Sequence, residues 1–211
     1  MHAPRRRCQH GRMEFKETLA RRRMVRNYTN EPIGDQILSR IADAAFRGPS
    51  AGYSQGVSVV TVVDPERRRA IAELADEAAY VDMGFDPWIS RAPAHIVIAV
   101  SEKVYRDRYS EPDKLDADGN EIEWPVPYWW IDGGAAMMAV LLAAVDEGLA
   151  AGFLGVHSMP SLAHLLGIPS EFTPIGVITI GHEAPDRRSG SLERGRKARD
   201  DVVHVDRWGG R

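Results

Sequence analysis

The chain contains a single cysteine, Cys8, in 211 residues. This excludes an internal disulfide, a Cys-x-x-Cys redox pair and any multi-cysteine zinc or iron-sulfur site, and it makes a reducing, cytoplasmic setting the expectation. No apolar run reaches the roughly 20 residues that span a bilayer. The longest, Ile131 to Leu149, carries Asp132 near its start and Asp146 and Glu147 near its end, and predicts a buried helix rather than a membrane span. The N-terminal arginines are not followed by an apolar stretch and a small-residue cleavage site, so no secretory signal is expected. Gly-x-Gly-x-x-Gly and Gly-x-x-x-x-Gly-Lys-Ser/Thr are both missing, which argues against a Rossmann dinucleotide site and a P-loop. The histidines show no His-Glu-x-x-His spacing, and no metal site is expected.

What is present is an ordinary globular composition, 44% apolar and 27% charged. At a prior of about 150 residues per domain, the chain is one domain with enough apolar residues for a core. Residues 1–12 lack periodicity and are set aside as a leader; 13–211 form the expected domain. The net charge of -3 is unevenly spread: residues 1–26 hold nine Lys/Arg against Glu14 and Glu17, while 187–211 hold eight basic against four acidic residues. With a pI of about 6.2, far below the value above 9 that marks a nucleic-acid binder, no nucleic acid is expected. Two local positive clusters suit a small anionic ligand instead.

Along the chain, apolar spacing predicts a helix from Glu14 to near Asn27 and a second from Asp35, ending at Gly48-Pro49. Val57 to Val63 and Ala94 to Val100 predict buried strands, with a helix from Glu66 to about Ala79 between them. Residues 102–130 are acidic and proline-containing and carry three of the five tryptophans, ending in Tyr128, Trp129 and Trp130. Apolar on nearly every face, the helix that follows needs cover from elsewhere, for which a second copy of the chain is the simplest source. A strand Ala151 to Val156, a helix Ser161 to Leu166, a strand Ile175 to Gly181 and a basic tail complete the pattern.

Gly48-Pro49-Ser50-Ala51-Gly52 matches the Gly-x-Ser-x-Gly nucleophile elbow, but that device needs strand, turn, then helix. Here the predicted order is helix, motif, strand, and no serine hydrolase is expected. Arg22, Arg23 and Arg26, read as lying within one turn of a helix end, would share a face and converge on one phosphate. A solvated basic face is the alternative that this segment alone leaves open.

Five segments, in order, resemble the FMN-dependent nitroreductase family. They are Arg22-Arg23-Met24-Val25-Arg26-Asn27-Tyr28, the turn Gly48 to Gln55, the apolar helix ending Asp146-Glu147-Gly148-Leu149, Leu166-Gly167-Ile168-Pro169 before Pro174 to Gly181, and Val202 to Trp208. The likeness implies an α+β fold, a central mixed β-sheet flanked by helices, and a homodimer built on the long buried helix, with FMN bound between the two chains. By the same likeness Arg22 and Arg23 approach the FMN phosphate and ribityl chain, and Arg26 reaches the pyrimidine edge. Met24 stands where the family commonly has serine. Pro49, Ser50, Ala51 and Gln55 match a loop donated by the partner chain, with Tyr53 in place of the usual asparagine. Gly155 and Val156 match the backbone beside the isoalloxazine ring, and Arg194 and Arg196 match a basic pair that closes on the phosphate.

The implied activity is hydride transfer from NAD(P)H through FMN to a small aromatic or quinone-like acceptor, in ping-pong order. The cofactor carries the chemistry, so no protein nucleophile or dedicated catalytic base is needed. Tyr128, Trp129 and Trp130 are the expected acceptor wall and 102–130 the expected lid. A flavin carrier without turnover, and flavin-fragmenting or dehalogenating relatives on the same scaffold, are the alternatives.

Overall fold

The computed structural model describes residues 13–211; the expected leader at 1–12 lies outside the described residues. Helix α1 spans Phe15–Arg21 and α2 Asp35–Asp43, the latter running into a 3-10 turn, Ala44–Arg47. Strand β1 (Val57–Val62) leads to α3 (Pro65–Leu74), α4 (Glu77–Asp82) and α5 (Trp88–Arg91). After β2 (Ala94–Val100) come α6 (Glu102–Tyr109), α7 (Tyr128–Asp146), β3 (Ala150–Gly155), α8 (Leu162–Leu166) and β4 (Thr173–Gly181).

The four strands form one sheet in the order β1-β2-β4-β3. Alternation along each strand sends successive side chains to opposite faces, and the sequence fills both. Ala94, Ile96 and Ile98 of β2, with Ile178 and Ile180 of β4, pack against Leu38 and Ile41 of α2 and Ala136, Val140 and Ala144 of α7. Val97 and Val177 face the other way, onto Ile71 of α3, Trp88 and Ile89 of α5 and Leu162 of α8. All seven residues of β2 are buried. Each fully buried isoleucine there contributes about 1.5–3 kcal/mol relative to exposure, which explains why its run, His95 apart, is apolar rather than alternating.

Local signals fix the flanking helices. The Asp64 carboxylate accepts from the backbone N–H of Arg67 at 2.9 Å and Pro65 opens α3, an N-cap followed by proline at the first helical position. Gly167, at φ 63°, ends α8 in the left-handed conformation. Long and apolar enough by composition to cross a membrane, α7 instead lays one side across the sheet. Its other side leaves Trp130, Ile131 and Met138 exposed.

Four expectations need correction. The first helix stops at Arg21, not near Asn27: Arg22 is already extended (φ -59°, ψ 117°). Beyond it Met24 bridges Ala151 in parallel, the Val25 N–H donates to the Ala151 carbonyl at 3.1 Å, and Tyr28 bridges Glu183. The open edge of β3 supplies backbone partners that a helix would forgo. The helix expected over 66–79 is broken by Asp76, which adopts φ 52° and separates α3 from α4. The sheet expected to be mixed is antiparallel in all three ladders. Its parallel component among the described residues is the Met24–Ala151 bridge. The long helix also starts at Tyr128, before the expected Ile131, so Tyr128, Trp129 and Trp130 are its first turn.

Candidate functional site

Because 22–28 is extended, its arginines do not share a helical face; alternate residues point to opposite sides. Arg21, Arg23 and Val25 wall one cavity of about 230 Å³ with Val145, Leu149 and Glu183. Arg23 is tied down there. One guanidinium nitrogen donates to both Asp186 oxygens at 2.9 and 3.0 Å and the other to Glu183 at 2.5 Å. Burial works against its charge, but the hydrogen bonds to Glu183 and Asp186 outweigh that and hold its pKa above the ordinary value.

Arg22 and Arg26 differ. Among the described residues neither forms an ion pair with a carboxylate, whereas the Arg26 backbone N–H donates to Asp186 at 2.9 Å and its guanidinium stacks on Phe85 at 5.8 Å. Arg187 stacks on the same ring at 5.5 Å. The backbone is anchored from both ends. Buried Tyr28 lies 2.8 Å from the Thr179 hydroxyl and donates to the Val25 carbonyl at 3.0 Å, while the Asn27 side chain donates to the Pro185 carbonyl at 2.8 Å. Burial pushes the Tyr28 phenol well above its usual pKa, so it stays a donor. Two guanidinium groups free of carboxylates on a fixed backbone can bind an anion through charge-assisted hydrogen bonds.

The turn at 49–55 is a second rigid feature. Ala51–Tyr53 form a 3-10 turn in which Gly52, Tyr53 and then Gln55 have φ of 60°, 56° and 57°. The Ser50 hydroxyl accepts from the Gln55 N–H at 2.7 Å and the Ser54 hydroxyl donates to the Ala51 carbonyl at 2.7 Å. Pro49, Tyr53 and Gln55 are exposed. Tyr53, 76% exposed, projects from the protomer without packing. The motif lies between the second helix and β1, so the strand-turn-helix order of a nucleophile elbow is absent, and the Ser50 hydroxyl is engaged by the Gln55 N–H and by Tyr105.

Gly155 closes β3 opposite Gly176 of β4, and Val156 opens a 3-10 turn, Val156–Ser158. Arg194 ends another, Gly190–Arg194, and with Arg196 lies exposed on the tail. Neither is joined to 22–26 by a hydrogen bond or ion pair among the described residues. A single chain therefore sets the arginine segment beside the start of β3, at Ala151, and leaves Gly155 and Val156 at the strand's other end, with the turn and tail as separate projections. Of the aromatic trio, Tyr128 and Trp130 are about half exposed, but Trp129 is buried beside Val100 and Tyr105. Trp129 is a packing residue, correcting its expected place in the acceptor wall.

Sequence reading missed the residues that hold these parts. Asp186 and Glu183 follow β4 and have no motif. Asp132, noted only as a charge interrupting an apolar helix, is buried and accepts from Tyr105 at 2.6 Å and the Ala51 N–H at 2.9 Å. Its position inside an apolar run was the available signal. A larger cavity, about 560 Å³, lies elsewhere, walled by Arg68, Arg91, Pro87 and Pro93 among others, and includes none of the expected site residues. Arg68 is engaged there by the Ser90 and Ala92 carbonyls at 3.1 and 2.6 Å.

The profile of the Nitroreductase family matches residues 19–182. The chain is 31% identical over 200 residues to an FMN reductase [NAD(P)H] of Bacillus subtilis, covering 92% of this chain and 74% of that one. It is 29% identical over 173 residues to an NADPH-flavin oxidoreductase of Vibrio harveyi, covering 81% and 65%. Among solved structures, the oxidoreductase YcnD of Bacillus subtilis superposes with a TM-score of 0.69 at 27% identity, covering 92% of this chain and 74% of its own. With its α+β architecture, its arginine segment beside β3 and a profile match over most of its length, the chain belongs to the nitroreductase family.

Proposed function

We propose that the chain is an FMN-dependent oxidoreductase that moves a hydride equivalent from NAD(P)H to a small flat acceptor, and that it works as a homodimer. The observation that carries this reading is the contrast within one segment: Arg23 is neutralised by Asp186 and Glu183, while Arg22 and Arg26 are held out by the same backbone without a carboxylate partner. Relatives named FMN reductase and NADPH-flavin oxidoreductase support it.

The residues present fit the cofactor. Arg22, with Arg194 and Arg196 of the tail, would hold the phosphate, and Gly155 and Val156 offer backbone beside the ring. Arg26 would face the pyrimidine edge, where a fixed positive charge favours the reduced, anionic form. Bound FMN supplies the reversible hydride chemistry. The protein needs only to bind, orient and exclude water. Tyr128 and Trp130, half exposed at the start of α7, would stack on a flat acceptor.

Uncovered apolar surface supports the dimer. Ile131 and Met138 on α7, with Phe15 and Leu19 on α1, are exposed in one protomer, and contiguous apolar surface of this kind marks an interface. A partner there would bring its own turn 49–55 to the site. The test is charge reversal: Arg22→Glu and Arg196→Glu lower the flavin retained through purification by tenfold or more, with an unchanged circular-dichroism spectrum. Unchanged flavin content contradicts the reading.

A further inference from the structure

A left-handed backbone is costly for residues other than glycine and persists only where the surroundings over-determine it. Tyr53 and Gln55 both adopt it, next to Gly52, in a turn whose tip is exposed. The turn's own hydrogen bonds, Ser50 to Gln55 and Ser54 to Ala51, shape it but do not attach it to the protein. Attachment comes from two other elements. From α7, the buried Asp132 carboxylate accepts the Ala51 N–H at 2.9 Å. From α6, Tyr105, fully buried, donates its hydroxyl to the same Asp132 oxygen at 2.6 Å.

Two more residues of α6 reach the turn. Arg108 donates from Nε to the Gly52 carbonyl at 3.1 Å, and is itself fixed by Asp113 at 2.8 Å. Tyr109 lies so close that a Cβ on Gly52 would come within 2.6 Å of its ring. Tyr109 in turn packs edge-on against Trp124, and Trp124 against Tyr128 and Trp129. The turn, α6, Trp124 of the segment 110–127 and the start of α7 are one connected body. Asp132 is its hub, joining three elements through one oxygen.

We propose that Asp132 is a positioning residue for the flavin-binding turn, and that α6, through Tyr105 and Arg108, sets flavin affinity as well as closing over the acceptor. The inference rests on the flavin reading above and deepens it. A segment that only capped the acceptor would leave the turn independent of it. Among the described residues, the side-chain hydrogen bonds that tie the turn to other elements come from α6 and α7. If loss of the hub lets the turn leave its strained conformation, the apparent dissociation constant rises as the inverse of the binding-competent fraction that remains.

The experiment is titration of flavin-stripped full-length protein with FMN, followed by quenching of flavin fluorescence, well below the thermal midpoint of each variant. Asp132→Ala and Tyr105→Phe are expected to weaken FMN by about tenfold, the effect of a competent fraction falling to about a tenth. Asp132→Asn, which keeps an acceptor oxygen, restores most of the affinity lost in Asp132→Ala. The double variant Asp132→Ala/Tyr105→Phe binds no worse than Asp132→Ala, because both act through one hub. Should Asp132→Ala not fold, Tyr105→Phe and Arg108→Ala decide. Folded variants that bind FMN within about twofold of wild type overturn the inference alone. A wild-type protein that takes up no FMN overturns the flavin reading and this inference with it.

Discussion

Arg23 and Asp186 are joined through one guanidinium nitrogen that donates to both carboxylate oxygens, at 2.9 and 3.0 Å, with the carboxylate side chain only 5% exposed. The pair fastens the extended arginine segment to the stretch following β4, and it removes one of three adjacent charges from the binding surface. Arg23→Gln is therefore expected to act on stability more than on flavin. Leaving Asp186 with fewer donors in a buried position costs about 1–3 kcal/mol, measured as a lower urea midpoint, while FMN affinity falls less than in Arg22→Gln. A larger flavin loss in Arg23→Gln than in Arg22→Gln contradicts this division of roles.

Tyr53 offers a test in the opposite direction. At φ 56° it occupies a conformation in which asparagine is enriched and an aromatic residue is strained. Being 76% exposed, it gains little from packing. Tyr53→Asn is expected to raise stability by about 1 kcal/mol, seen as a higher thermal midpoint, while Tyr53→Phe leaves it unchanged. Equal behaviour of the two variants argues that the backbone at 53 is not strained.

His95 gives the pH dependence. It is buried between β2 and α5, with Nε2 2.7 Å from the Ile89 carbonyl and Nδ1 without a partner. Burial lowers its pKa to about 4 from the usual 6.5, the hydrogen bond to Ile89 opposing the shift only in part. The unfolded chain therefore takes up a proton between about pH 6.5 and 4 that the folded protein refuses, and stability falls as pH drops through that window. By linkage the loss reaches about 3 kcal/mol at full protonation of the unfolded state. Urea midpoints from pH 7 to 4 check it. His95→Gln, which retains a donor for Ile89, flattens the curve across this range; a parallel curve in the variant refutes the assignment.

The uncovered side of α7 predicts the oligomer. Ile131 is 48% exposed and Met138 41%. Ile131→Asp is expected to convert a dimer to a monomer by light scattering and to reduce flavin content in parallel, since each site would draw its turn 49–55 from the partner. A monomeric wild type that binds FMN fully contradicts the shared site.

Sequence made the sheet legible and the site only in outline. The apolar run of β2 declares itself because it is buried along its whole length, whereas β1, at the edge of the sheet, is only partly buried, with Ser58 and Thr61 exposed. The arginine segment misleads for an identifiable reason: arginine and methionine favour helix locally, but the partner that decides, Ala151 on the open edge of β3, is far along the chain. The same separation hides Asp186, 163 residues from Arg23. Asp132 was visible as a lone acid in an apolar run, yet its role depends on Tyr105 and Ala51, which only the packing of α6 and the turn against α7 brings to it.

The central claim is that this chain holds a reducible flavin. Its most direct test is the visible absorption spectrum of the purified protein, recorded without air before and after addition of NADH or NADPH. The account predicts two flavin bands that bleach on addition of the nicotinamide. A colourless protein that also fails to take up added FMN contradicts it, and leaves Arg22 and Arg26 to some other anion.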